Sequence, residues 1–260
     1  MVPIVLIPIV GALMPPLPPF APKPTDLLAT TAELILRAKL RKAAAVKVDV
    51  DGSGPELIGG AVRGVRVRGS DWNTPMSLSC RTLDVSVGRA SIDFPALATQ
   101  QRILLKQPAL GSAAIRFSAA DWGSFLAHPL MSEALSGFAA RAPAPRPSSV
   151  RFRRDGATLT PGEAVFFVSW EGEQLAARLT QPRGGPAAVA VEPAADGAAP
   201  FLTAFFNGLT IDLDGCELRF RALEVSGVAP SRGGGPLNLL EMGLQLDVCV
   251  RRFPSPFVNF

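Results

Sequence analysis

From residue 46 the chain alternates apolar and charged side chains. In "VKVDVD", Val46, Val48 and Val50 fall on one side of an extended strand, and Lys47, Asp49 and Asp51 on the other. "VRVR" repeats the arrangement, with Val65 and Val67 opposed to Arg66 and Arg68, and "LDVSV" (Leu83, Val85, Val87) and "AIRFS" (Ile115, Phe117) continue it. Such one-sided strands belong to antiparallel sheets with one solvated face. Between the first two runs, "GSGPELIGGAVRG" has too many glycines for a regular element, and Leu57 and Ile58 give it an apolar tip.

A helical period precedes the strands. In "TDLLATTAELILRAKLRKA", Leu27, Leu28, Leu34, Ile35 and Ala38 recur near helical spacing, while Arg37, Lys39, Arg41 and Lys42 gather at the far end. Thr25 is the expected N-cap, with Asp26 in the first turn. The pattern predicts an amphipathic helix packed on a sheet, with binding to a membrane surface as the alternative. A second helical signal is "SAADWGSFLAHPLMSEAL", where Ser118 followed three residues later by Asp121 resembles a capping box, with Asp in place of the usual Glu. Trp122, Phe125 and Leu126 share a face there, and Pro129 interrupts the run. "PFLTAFFNGL" (200–209) is a third.

The second half otherwise reads as strands: "VRFRR", "AVFFVSWEG", "QLAARLT", "AAVAVEP", "TIDLDG", "ELRFRALEVSG" and "LQLDVCVRRF". A faint echo between "VDVDG…VRVRG" and "IDLDG…LEVSG" suggests similar strand pairs in both halves. Ahead of everything stands a leader, residues 1–24, apolar over 1–14 and then Pro-rich. Its apolar part is shorter than the about 20 residues of a spanning helix, and no basic residue precedes it as in a secretory signal. It reads as a precursor remnant, a degenerate export signal or a membrane-touching arm. Residues 25–260 read as one domain, with "ARAPAPRPSS" (140–149) as an exposed link.

Composition adjusts this picture modestly. The chain is 48% apolar and 18% charged, against about one-quarter charged in an ordinary soluble domain. Either Ala and Pro inflate the apolar count, or there is more apolar surface than a self-filled core needs. The net charge of +4 is carried mostly by Arg, and Tyr is absent. A nucleic-acid module concentrates basic residues and interleaves stacking aromatics, so that class is set aside. Anionic lipid headgroups would attract such a surface, although a solvated basic surface is the plainer account.

Candidate chemistry is sparse. Cys80, Cys216 and Cys249 are far apart and never in CxxC spacing, which suggests neither a zinc site nor a disulfide framework. DxDG at Asp49–Gly52 and Asp212–Gly215 lacks the further oxygen ligands of a calcium loop, and a strand entering a Gly turn explains both. His128 is the single histidine, and its place before Pro129 suits a helix cap better than a general base. Asp49 and Asp51 belong to a solvent face, and the triple glycine at 233–235 lacks the Lys-Ser/Thr of a phosphate loop. No catalytic residue, metal ligand or cofactor site is expected.

The order of these features resembles the LmeA-like phospholipid-binding family. The resemblance rests on Leu57 to Gly60, Gly64 to Val67, Leu83 with Asp84, and Ser118 to Asp121, within residues 27–135. It implies an α+β fold: an elongated, curled antiparallel β-sheet wrapped around one or two helices, a TULIP-like half-barrel with a hydrophobic groove. The implied function is non-catalytic binding, or transfer, of phospholipid or another lipid at or near a membrane. A plastid, membrane-associated location is implied, with an exported or periplasmic one as the alternative.

Combined with the strand pattern, the resemblance predicts a groove lined by Val46, Val48, Val50, Val65, Val67, Leu83, Val85, Val87, Ile115 and Phe117. Leu57 and Ile58 would close one mouth, and Arg37, Lys39, Arg41, Arg66 and Arg68 would meet the lipid head. Two rival readings remain. One is a structural or interaction module whose sheet is filled by its own side chains. The other is a lipid-acting hydrolase, which needs His128 or a carboxylate pair on the groove.

Overall fold

The alternating runs assemble into two antiparallel sheets where one was expected. The computed structural model describes residues 23–93, 104–142, 147–227 and 240–252. The leader over 1–22, the triple glycine at 233–235 and the middle of the Pro-rich link, 143–146, lie outside them.

The larger sheet has seven strands: β1 (Ala45–Asp51), β3 (Gly64–Asn73), β4 (Ser79–Val87), β6 (Leu104–Phe117), β14 (Leu240–Arg252), β13 (Cys216–Gly227) and β12 (Thr210–Asp212), in that spatial order. The smaller has β11 (Ala188–Glu192), β10 (Glu173–Thr180), β9 (Glu163–Trp170) and β7 (Val150–Phe152) in order, with β8 (Thr158–Thr160) also on β9. A two-stranded pair, β2 (Ala61–Val62) and β5 (Ala90–Ser91), completes the strands among the described residues. Helices α1 (Pro24–Lys39), α2 (Gly54–Ile58), α3 (Ala119–Leu126), α4 (Pro129–Arg141) and α5 (Ala198–Asn207) join them. The fold class is therefore α+β, with more helices than the one or two anticipated.

Local chemistry explains most of these boundaries. Ser118 and Asp121 make the reciprocal capping box at the start of α3. His128 caps α4, its Nδ1 accepting from the Leu130 N–H at 3.3 Å, and Pro129 opens the new helix at its first position. Other expectations need correction. Helix α1 starts with Lys23 as N-cap and Pro24 in the first turn, so Thr25 lies inside it. The Gly-rich connector is not free of regular structure: Ser53 and Glu56 form a second capping box that starts α2. Strand β6 begins ten residues before Ala114, running through Pro108. Proline is tolerated because the β6–β14 register slips between Val250 and Arg252, and β4 pairs only with Gly111–Arg116. The two DxDG stretches end the two edge strands of the large sheet, β1 and β12. Each edge strand pairs antiparallel with the strand carrying the second part of the echo, β3 and β13, so the echo does mark similar strand pairs in the two halves.

The core lies between the sheets. Phe117, Met242, Leu244 and Leu246 face it from the large sheet, and Phe166, Val168, Leu175 and Leu179 from the small one. Between them, Trp122 and Phe206 sit 6.3 Å apart between ring centroids, and Phe166 meets Phe206 edge-on at 5.6 Å. In β13 a bulge between Phe220 and Ala222 changes the strand's phase, so Leu218 and Phe220 before it and Leu223 and Val225 after it all face the same side.

Candidate functional site: an apolar sheet face beside the core

The strand register resolves the predicted lining. Val46, Gly69, Leu83 and Ile115 stand side by side across β1, β3, β4 and β6. The next row is Val48, Val67, Val85 and Ala113, and the third is Val50, Val65, Val87 and Gly111. All nine predicted residues from Val46 to Ile115 thus share one face of the sheet. At strand spacings of about 3.3 Å per residue and 4.8 Å between strands, this floor measures about 13 by 14 Å.

Its parts differ in cover. Val46 and Val48 are buried, next to α1. Val50, Val65, Val67 and Leu83 are half-buried and lie outside the packed core, whereas Val85, Val87 and Ile115 touch it. Phe117 belongs wholly to the core, 1% exposed, with Phe125 at 5.2 Å and Trp122 at 6.1 Å. It has no free face for a guest, so the available floor stops one row short of the predicted one.

Two residues close the ends. Leu57 packs against Gly52, extending the Val46–Val48–Val50 row, while Ile58 beside it points outward at 85% exposure. At the other end the Trp72 indole occupies the space where a Gly69 side chain would stand, and its Nε1 donates to the Ala45 carbonyl at 2.9 Å. Trp72 was missed by sequence reasoning. The signal was present as "GSDW", but seeing it requires knowing that Asp71 adopts a positive φ of 48°, which swings the next side chain over the glycine.

The predicted head-binding residues separate into two groups. Arg66 and Arg68 project from the opposite, polar face. Arg66 makes a bidentate pair with Asp84 at 2.9 and 2.5 Å, and Arg68 bonds Asp49 at 2.6 Å. These guanidinium partners hold the Asp84 and Asp49 carboxyls below the ordinary carboxylate range. The two arginines are therefore on the wrong side to meet the head of a chain lying on the valines. Arg37, Lys39 and Arg41 lie at the end of α1 near Trp72, where Arg41 N–H bonds the Asn73 carbonyl at 2.9 Å.

Helix α1 is tied to the free edge of β1. Glu33 accepts from the Val48 N–H at 2.8 Å, and Arg37 donates to the Val46 carbonyl at 3.3 Å. One turn apart, these side chains satisfy backbone groups that an edge strand leaves open. Helix α5 treats β11 alike: Thr203 accepts from the Val189 N–H at 2.9 Å, and Asn207 bonds both the N–H and the carbonyl of Ala187.

Other chemical candidates are accounted for structurally. Burial pushes the Cys80 thiol up to about 12 and the Cys216 thiol up to about 11, which keeps both protonated. The Asp212 carboxylate accepts from the Gly215 N–H at 2.9 Å, closing the turn of the second DxDG. Among the described residues, no group of three or more His, Cys, Asp and Glu is arranged to hold a metal ion. An open concavity of about 700 Å³ lies away from the valines, between α4 and β12–β13. Its walls carry Glu133, Arg141 and Asp212 together with Glu217, which pairs with Arg219 and Arg251. Among the described residues no helix is long and apolar enough to cross a membrane.

No protein-family model, curated protein or solved structure matches this chain.

Proposed function

We propose that the protein binds a phospholipid or another lipid without catalysis, laying an acyl chain along the valine floor of β1, β3 and β4. The observation that carries this reading is the contrast in cover. One sheet face is apolar from β1 to β12, yet its core half is filled by aromatic rings and its other half keeps Val50, Val65, Val67 and Leu83 half-exposed. A soluble protein seldom leaves a contiguous apolar surface without a use for it. Each buried methylene contributes about 0.8 kcal/mol, so a partly sheltered chain binds firmly. The polar head would sit at the Trp72 end, near Lys39 and Arg41, and the tail would run toward Leu57. The resemblance to LmeA-like proteins agrees with this reading, as does the plastid or exported, membrane-associated setting it implies.

A second reading, a structural or interaction module, is favoured by the self-filled aromatic half. Native mass spectrometry of the purified full chain, followed by lipid extraction, separates the two. Lipid is expected to co-purify with the wild type and to be lost from Val67→Asp, whose circular dichroism should stay near that of the wild type. Lipid retained equally by both proteins, or absent from the wild type, would sink the groove.

A further inference from the structure

Helix α1 packs through its small side. Ala29, Ala32 and Leu36, spaced three and four apart, are half-buried, whereas Leu27, Leu28, Leu34 and Ile35 are 45–63% exposed. The stripe expected to pack on the sheet therefore faces outward. The Glu33 and Arg37 bonds to β1 set the helix's rotation and hold it so. Helix α2 touches α1 and adds Ile58, 85% exposed. Charge complements this bare surface: residues 23–42 hold five basic side chains and two acidic ones. One of the acidic pair, Glu33, is already turned onto the β1 backbone. Lys23, Arg41 and Lys42 are exposed at the two ends of the stripe.

We infer that the outer face of α1, continued by Ile58, is the surface on which the protein docks to an anionic bilayer. The leucines and isoleucines enter the acyl boundary, and Lys23, Arg41 and Lys42 meet headgroup phosphates. The inference deepens the lipid-binding reading, since docking here brings the valine floor beside its source of lipid, but apart from Arg41, which both use, it rests on different residues.

The test is co-sedimentation of the full chain with phosphatidylcholine vesicles, with and without phosphatidylserine. Binding is expected with phosphatidylserine and should weaken as salt rises. The double variant Leu34→Glu/Ile35→Glu should bind at least about tenfold more weakly. Each of Arg41→Ala and Lys42→Ala should lose about fivefold. All these side chains are exposed, so melting temperatures should match the wild type. The inference is overturned if the wild type ignores phosphatidylserine vesicles or if Leu34→Glu/Ile35→Glu binds them undiminished. It is also overturned if the wild type is a dimer that this variant dissociates, because a second copy would then cover the stripe. Val67→Asp keeps the two claims apart: it should still sediment with vesicles. A wild type that sediments through α1 yet carries no lipid would defeat the groove and leave the docking surface standing.

Discussion

Helices α1 and α5 do the same job on two different sheets and finish differently. Each guards the free edge of a sheet with two polar side chains one turn apart, Glu33 and Arg37 on β1, Thr203 and Asn207 on β11. Each thereby has its rotation set. In α5 the apolar stripe so oriented, Leu202, Phe205 and Phe206, is fully buried in the aromatic core. In α1 the corresponding rotation half-buries Ala29, Ala32 and Leu36 and leaves Leu27, Leu28, Leu34 and Ile35 in solvent. Edge protection is thus independent of core building, and a helix that only protects an edge keeps its greasy side for something else.

The strongest way to break this comparison is to truncate both stripes. Phe206→Ala removes a side chain that packs on Trp122, Phe152, Phe166 and Phe205, and should lower unfolding stability by about 3–5 kcal/mol. Leu34→Ala should change it by no more than about 0.5 kcal/mol. Comparable losses in urea titrations would mean that the α1 stripe is packed after all.

Removing the clamps gives a smaller and sharper contrast. Asn207→Ala deprives the Ala187 N–H and carbonyl of their partner and should cost about 1–3 kcal/mol of global stability. Glu33→Ala leaves the Val48 N–H open and should loosen α1 locally, at about 1 kcal/mol. Hydrogen exchange distinguishes them: the Val48 amide should lose protection in Glu33→Ala while the β9 and β10 amides keep theirs. Uniform loss over the whole chain would show that α1 belongs to the same cooperative unit as the core.

The smallest expected effect is acid sensitivity of the filled half. Burial holds the His128 imidazole below its ordinary value of about 6.5. The unfolded chain then binds more protons than the folded one, so the stability in question is complete above about pH 6.5 and is lost as the pH falls through it. His128→Asn keeps a capping acceptor for Leu130 and removes the titration. Its melting temperature should decline less than that of the wild type between about pH 7 and 5. Parallel curves would assign the acid sensitivity to other groups. Asp49 and Asp84, held low by their arginines, act only at more acid pH and are partly open to solvent screening, so their share is small.

Much of the fold was legible because its signals are local. Period-two runs placed β1, β3 and β4, the Ser118–Asp121 box placed α3, and the His128–Pro129 step split α3 from α4. The shared face of Val46 through Ile115 was equally readable, since alternation fixes sides once neighbours pair in register. What stayed hidden depends on distant partners. Pro108 argues against a strand until the β6–β14 bulge is known. Phe117 looks like one more lining residue until α3 supplies Trp122 and Phe125. Arg66 and Arg68 are visibly opposite the valines, but their recruitment by Asp84 and Asp49 is a cross-strand fact. The rotation of α1 was the hardest, because helical periodicity shows that an apolar stripe exists and not which way a pair of hydrogen bonds will turn it.

One consequence concerns α1 as a movable part. It shelters Val46 and Val48 and shields the backbone of the outermost strand with the same few bonds. Lifting it would widen the trough and at the same moment bare the Val46 carbonyl and Val48 N–H to any extended chain nearby. Entry of a guest and recruitment of a neighbouring strand are therefore competing fates of a single opened form, so an opened, empty molecule is the species expected to aggregate first.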